Sequence, residues 1–493
     1  MQTVQKLADV ARRSERVRFR RALVLLAMTL VLPGSAQIMC GNKAVGRAAL
    51  RVLGIVIVGA VAVYFYEGKQ GLIKLGFESW ALISLQTGIV VLGLCWLGLF
   101  MDAWRLGRPP TLVRTHRATV SVLSLALMGV VATPAAFSAN LLQTHRNFIE
   151  STFVDGGVRD LYNGRLNILL LGGDGGADRT GIRTDSITLA SIDVATGKTV
   201  LFSLPRNMQN IQFPPGTPMD AQFPNGFPDF FFGVYTYGAQ HPDLFKGARD
   251  PGALAVQEAV AQTLGIPVHY YALVNLQGFQ SIVNALGGVT IRVNERLPIG
   301  GGHATGPCDL PGGGCREGAA QPITGWIEPG LQHLDGYHAL WYARSRESTS
   351  DYDRITRQKC MMGAILRAAD PATVILHYSK LTKGASQVLT TDLSIGAVQQ
   401  LVGVMGKAKS QKITSVQFIP PAIDPSNPDL TYIRAQVQKA LAAADAPPTP
   451  TPAPTPKPKK VKKTTATPTP SPTGQAHVVA GEGMSLDDTC QYS

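Results

Sequence analysis

Asp174 and Asp185 lie in LLLGGDGGADRTGIRTDS (169–186), and Arg344, Arg346, Arg354 and Arg357 lie in ALWYARSRESTSDYDRITRQ (339–358). Paired aspartates suit a hard divalent cation, which takes oxygen ligands. Guanidinium groups are planar forks that meet phosphate oxygens two at a time. Arg183 stands two residues before Asp185 and would share its face on an extended segment, and Arg206 follows the apolar run Val200 to Leu204 and Pro205. Together these residue types are the chemistry of a pyrophosphate held by metal and arginine. Helix or turn capping by Asp174, a surface role for Asp185 and salt bridging within 344–357 are the plainer alternatives.

The elements around these residues must position them. Arg344 and Arg346 alternate after Leu340-Trp341-Tyr342, so a strand leaving the core would project both to one side. Asp351 and Asp353 precede a helix whose first turns carry Arg354, Arg357 and Gln358. Short apolar runs at Asn167–Leu171, Ser186–Asp193 and Thr199–Leu204 read as core strands, with a Gly-rich loop at 174–185 where open α/β sheets bind ligands. Helical spacing recurs at Ala253–Leu264, Leu276–Leu286 and Ile355–Ala368. Strands at Tyr270–Val274, Val289–Val293 and Thr414–Ile419 complete an α/β fold, a mixed sheet with helices on both faces.

The chain has 493 residues, 45% of them hydrophobic, and a formal charge of +13. The basic residues fall into separate groups and match no nucleic-acid-binding fingerprint. Residues 1–21 form a basic segment and 22–138 an α-helical membrane region, with spans expected near Leu50–Tyr66, Trp80–Phe100 and Ala118–Phe137. Arginines and lysines at 12–21, 43–51 and 105–117 place those segments on the cytoplasmic side. The stretch 22–38, with Pro33 and Gly34, then fits a re-entrant or interfacial hairpin, and the chain beyond Ser138 lies on the outer face. A connector at 139–160 leads to a domain at 161–445 with a Gly-rich insertion at 299–330. The Pro/Thr/Lys-rich segment 446–493 has the composition of a disordered tail.

Cys308 and Cys315 sit in the insertion, where an oxidising compartment favours a local disulfide. Cys360, with no histidine nearby in sequence, reads as a buried thiol.

The domain resembles the LytR-CpsA-Psr family of bacterial cell-wall glycopolymer ligases. The likeness runs from about Asn167 to Leu366, more weakly to Ala443, through NILLLGGDGG, RTDSITLASID, VLFSLPRN, the block at 270–293, PGLQHLDGYHALWYARSR and DYDRITRQ. It implies α-β-α layers and a membrane-anchored, extracytoplasmic transferase. Such an enzyme moves a glycosyl phosphate from a polyprenyl-pyrophosphate-linked glycopolymer to a peptidoglycan hydroxyl and releases polyprenyl phosphate. It further implies magnesium, with manganese as a substitute, on Asp174 and Asp185, and pyrophosphate contacts from Arg183, Arg206, Arg344, Arg346 and Arg354, with Gln358 and Arg357 beside them. Asp351 or Asp353 is the candidate for orienting arginines or accepting the hydroxyl proton. The lipid would lie in an apolar groove lined by helices such as 276–286.

Two departures stand out: glycines at 173, 175 and 176 flank the first aspartate, and Asn207 follows Arg206 where the family often has an acid. A polyprenyl-pyrophosphate hydrolase would use the same residues and hand the phosphate to water. A lipid-binding regulator of envelope biogenesis or transcription would need the arginines for binding alone.

Overall fold

The computed structural model describes residues 2–173, 184–301, 303–305, 317–320, 322–345, 350–369, 381–382, 389–408, 411–446, 481, 483–486 and 490. It divides into two units, Met1–Ile149 and Glu150–Ser493.

The first unit is helical: α1 (Gln2–Val31), α2 (Ser35–Met39), α3 (Lys43–Leu75), α4 (Ser79–Leu106) and α5, which starts at Arg114 and runs to Thr152. Three segments, Lys43–Gly68, Ser79–Thr111 and Arg114–Thr152, are long and apolar enough to cross a membrane. On α3 the apolar side chains stay outside, with Ile55 71% and Phe65 78% exposed. In water that surface would be costly, and lipid is the solvent that suits it. The basic N-terminal stretch and the apolar stretch after it form one helix, α1, which turns at Gly34 (φ 94°) into α2. Because α5 continues to Thr152, much of the expected connector is helix.

The second unit is built on a mixed sheet of β1 (Arg165–Gly173), β2 (Thr184–Asp193), β3 (Thr199–Leu204), β4 (Tyr270–Asn275), β11 (Leu389–Thr391), β12 (Thr414–Gln417) and β13 (Met484–Ser485). Their order is β11-β4-β1-β2-β3-β12-β13. β1 runs antiparallel to β2 and parallel to β4. The remaining helices are α6 (Pro218–Gln222), α7 (Phe231–Gln240), α8 (Pro251–Leu264), α9 (Leu276–Ala285), α10 (Gly336–Arg344), α11 (Asp351–Ala368), α12 (Ile395–Ala408) and α13 (Leu430–Asp445).

Strand alternation sorts the two faces. Leu169 and Leu171 of β1 join Leu189, Phe202 and Val416 in a core completed by Val256 and Val260 of α8 and by Ile433 and Val437 of α13. Leu166 and Ile168 point the other way, to Tyr270, Leu393 and Ala397. That pattern is the period-2 signal seen in the sequence, fulfilled on a sheet covered on both sides.

Three expectations are corrected. β5 (Val289–Val293) does not enter the main sheet but pairs with β10 (Gly330–Leu334), and β6 (Leu297–Gly300) pairs with β9 (Ile323–Ile327). These ribbons, with β7 (His303–Thr305) and β8 (Glu317–Ala320), frame the insertion. The chain around Arg344 is helix, not strand: the Asp335 side chain accepts from His338 N and caps α10, and Ala339, Leu340 and Ala343 recur on its buried side. The C-terminal end is not wholly a loose tail, because β13 extends the sheet on β12, Leu486 N donates to Ile413 O, and Leu486 and Cys490 are buried. Cys308 and Cys315 lie outside the described residues.

Candidate active site

A cavity of about 300 Å³ opens between β1, β2 and β4 on one side and α9, α10 and α11 on the other. Its walls are mostly apolar: Leu170, Leu171, Ala272, Val274, Leu276, Phe279, Ile282, Leu340, Met361, Met362 and Ile365. On α9, Leu276, Phe279 and Ile282 recur every third residue and so share one face. Asp185, Arg344, Arg354, Gln358 and Lys359 make the cavity amphiphilic.

Asp185 organises the polar groups. Arg206 Nη1 donates to its Oδ1 at 2.5 Å, and Arg354 Nη1 lies 3.8 Å from the same oxygen. The Arg354 side chain is 2% exposed, so its charge has been taken out of water and needs a nearby anion. Arg206 also lies over the Phe232 ring at 5.7 Å, and Arg344 over Trp341 at 5.5 Å. Among the described lining side chains, the guanidinium groups of Arg344 and Arg354 outnumber the one carboxylate, Asp185. The excess of cationic groups favours a multiply charged anion.

The sequence argument overlooked Lys359. Its Nζ donates to Ser415 Oγ at 2.6 Å and to Val416 O at 3.3 Å, and burial holds its pKa well below the usual lysine value. The signal was its place directly after Gln358, but attention to guanidinium forks passed over an ammonium. Gln358 itself lines the cavity and donates to Ala343 O at 3.3 Å.

Two expected residues serve the scaffold instead. Arg357 Nε donates to Tyr342 O at 2.9 Å, its Nη2 donates to Ser345 O, and its Nη1 lies 3.6 Å from Glu295. It ties down the C-terminal carbonyls of α10 and is not among the cavity residues, because those orphan acceptors lie within its reach. Asp353 closes a capping box: Ser350 N and Oγ donate to its Oδ2, while Asp353 N donates to Ser350 Oγ. Its carboxylate hydrogen-bonds the start of α11. Asp351 opens the same helix. Cys360 is not a thiol but forms a disulfide with Cys490, 130 residues on.

Asp174, Arg183 and Arg346 lie outside the described residues. Gly173 is paired with Thr184 across β1 and β2. The positions just before the two aspartates therefore face each other.

The LytR_cpsA_psr family matches residues 137–440. The chain belongs to that family. Among its relatives is a polyisoprenyl-teichoic acid–peptidoglycan teichoic acid transferase, TagU, of Oceanobacillus iheyensis, 29% identical over 266 residues, or 53% of this chain and 69% of that one. TagU of Enterococcus faecalis is 25% identical over 56% of this chain and 80% of its own. Among solved structures, B. subtilis TagV is 22% identical, with 57% of this chain and 98% of that one covered and a TM-score of 0.39. A LytR-CPS2A-psr family protein, YwtF (TagT), with bound octaprenyl pyrophosphate lipid is 21% identical, covering 57% and 93%, with a TM-score of 0.35.

The donor chemistry of this LytR-CpsA-Psr domain suits a hard divalent cation. Asp185 supplies carboxylate oxygens to the cavity. Among the described residues no three His, Cys, Asp or Glu side chains gather to hold a metal.

Proposed function

We propose that this LytR-CpsA-Psr protein is a magnesium-dependent phosphotransferase. It transfers a glycosyl phosphate from a polyprenyl-pyrophosphate-linked glycopolymer to a hydroxyl of peptidoglycan. The observation that carries the reading is one cavity whose apolar walls on α9 and α11 meet a cluster of Asp185, Arg206, Arg344 and Arg354. A ligand that satisfies both halves has a long apolar chain and a multiply charged head, and a polyprenyl pyrophosphate has both.

In the reaction, the acceptor oxygen attacks the phosphorus bearing the sugar, and the bond from that phosphorus to the bridging oxygen breaks. Polyprenyl phosphate leaves with the electron pair. Arg344 and Arg354, which line the cavity, would spread the charge that builds on the phosphoryl oxygens, and Arg206, paired with Asp185, would keep its carboxylate oriented. Magnesium on Asp174 and Asp185 would supply neutralisation of both phosphates. Arg183 and Arg346, close in sequence to Asp185 and Arg344, would complete the cationic set. The three apolar helices would anchor the chain as a multi-pass membrane protein, and the basic segments at 12–21, 43–51 and 105–117 would hold the second unit on the outer face.

The test is turnover of the full-length protein in detergent on a polyprenyl-pyrophosphate-linked sugar with magnesium, with and without peptidoglycan fragments, set against Asp185→Ala and Arg344→Ala. Sugar phosphate appearing on the acceptor, and lost in both variants, supports the transferase. Phosphate released at the same rate without acceptor would make it a hydrolase. Binding without turnover would make it a lipid-binding regulator.

A further inference from the structure

We infer that Trp326, braced by Arg296 and Glu328, is a platform for a pyranose ring of the acceptor glycan, on a ribbon tied to the residue after the cavity's Arg344. The inference rests on the transferase reading and names a subsite for its second substrate.

Trp326 lies on β9 next to the buried Ile327 and is itself 40% exposed. A tryptophan left at the surface forgoes much of the burial its large ring could give. This one is nonetheless held in place: the Arg296 guanidinium carbon sits 4.3 Å from the ring centroid, and Arg296 Nε donates to Glu328 Oε1 at 2.9 Å. Both brace side chains are more than half exposed, at 54% and 57%. Arg296 lies over one face of the ring and pairs with Glu328, so a sugar would stack on the opposite face with a hydrogen-bond donor and an acceptor close by.

A pyranose ring has the matching features, an apolar face of C–H groups and an edge of hydroxyls that both donate and accept. A lipid chain would leave the arginine and glutamate without use.

Position supplies the second argument. Trp326 is the register partner of Pro298 across the β6–β9 ribbon, a separation of about 5 Å between Cα atoms. Pro298 O accepts from Ser345 Oγ at 2.9 Å, and Ser345 follows Arg344, which lines the cavity. One cross-strand pair and one hydrogen bond therefore join the platform to the residue that borders the polar cluster. A glycan strand resting on Trp326 would be held on the ribbon that is tied to the residue after Arg344. β9, which carries Trp326, lies within the Gly-rich insertion at 299–330.

The experiment uses the full-length protein in detergent, titrated with a soluble peptidoglycan oligosaccharide by calorimetry, alongside the transfer assay. Trp326→Ala should weaken oligosaccharide binding by about tenfold and raise the acceptor KM by a similar factor. Both kcat at saturating acceptor and the KM for the lipid-linked donor should hold. Trp326→Phe, which keeps an aromatic plane and the ribbon's packing, should retain most of the affinity. Unchanged oligosaccharide binding in Trp326→Ala would overturn the inference, as would equal losses for donor and acceptor. If the wild-type protein transfers nothing, the transferase reading fails, and the titration still decides whether Trp326 binds sugar.

Discussion

Arg206 Nη1 lies 2.5 Å from Asp185 Oδ1, and the two side chains are 15% and 22% exposed. The pair joins the end of β3 to the start of β2, and the same carboxylate oxygen lies 3.8 Å from Nη1 of the buried Arg354. Asp185→Ala should therefore lower turnover by about 100-fold or more and cost about 1–3 kcal/mol of stability. Asp185→Asn keeps the shape but not the charge and should show the same loss of turnover with a smaller drop in stability. Paired kinetics and thermal unfolding separate the two contributions.

Asp353 and Arg344 make a contrasting pair. The carboxylate of Asp353 is spent on Ser350, whereas Arg344 lines the cavity. Asp353→Ala should cost about 1 kcal/mol, the worth of a helix cap, and leave turnover per folded molecule intact. Arg344→Ala should leave the unfolding midpoint nearly unchanged and abolish transfer. A fall in kcat for Asp353→Ala at full folding would return Asp353 to the chemistry.

Lys359 is buried with hydrogen bonds to Ser415 and Val416, and desolvation depresses its pKa. Between that lowered value and the ordinary 10.5 the unfolded chain binds a proton that the native protein does not, so this group makes stability rise with pH across that window. Lys359→Met fills the same volume without the ammonium. Its melting temperature should rise less between pH 7 and 10 than that of the wild type, as differential scanning calorimetry would read.

Glu258 of α8 carries the opposite sign. Burial pushes its carboxyl up to about 7, and its Oε2 makes no hydrogen bond among the described residues. From its ordinary 4.5 to about 7 the native state holds a proton that the unfolded chain releases, so stability falls as pH rises through that range. Glu258→Gln should match the wild type near pH 4 and melt higher than it at pH 8.

The Cys360–Cys490 bridge closes a loop of 130 residues and fixes the C-terminal end to α11, between the cavity residues Lys359 and Met361. Cys490→Ser should lose about 2–4 kcal/mol in denaturant unfolding. Reductant should bring the wild type down to the same midpoint and leave the variant unmoved.

The sequence by itself determined the strands and helices whose signals are local. Alternation along Asn167–Leu171 and Thr199–Leu204 marked β1 and β3, and helical spacing marked α8, α9 and α11 within a few residues. The apolar runs of the first unit were equally plain, because length and hydropathy alone define a segment able to cross a membrane. The residue types of the polar cluster were legible for a related reason: metal and phosphate chemistry restricts which side chains can serve.

Tertiary structure decided what depends on partners far along the chain. Arg357 looked like Arg354 in sequence, yet one turns to the carbonyls of Tyr342 and Ser345 while the other reaches Asp185. Three residues apart on one helix, they share much the same face, and only the packing of α11 against α10 and β5 says which of them meets the cavity. The run LWYAR carries both a strand's alternation and a helix's spacing, and the Asp335 cap settles it as α10. β5 left the main sheet because β10, some 40 residues on, offers it a full register of partners. Lys359 and Cys360 acquired their roles from Ser415 and Cys490, contacts that no local pattern encodes.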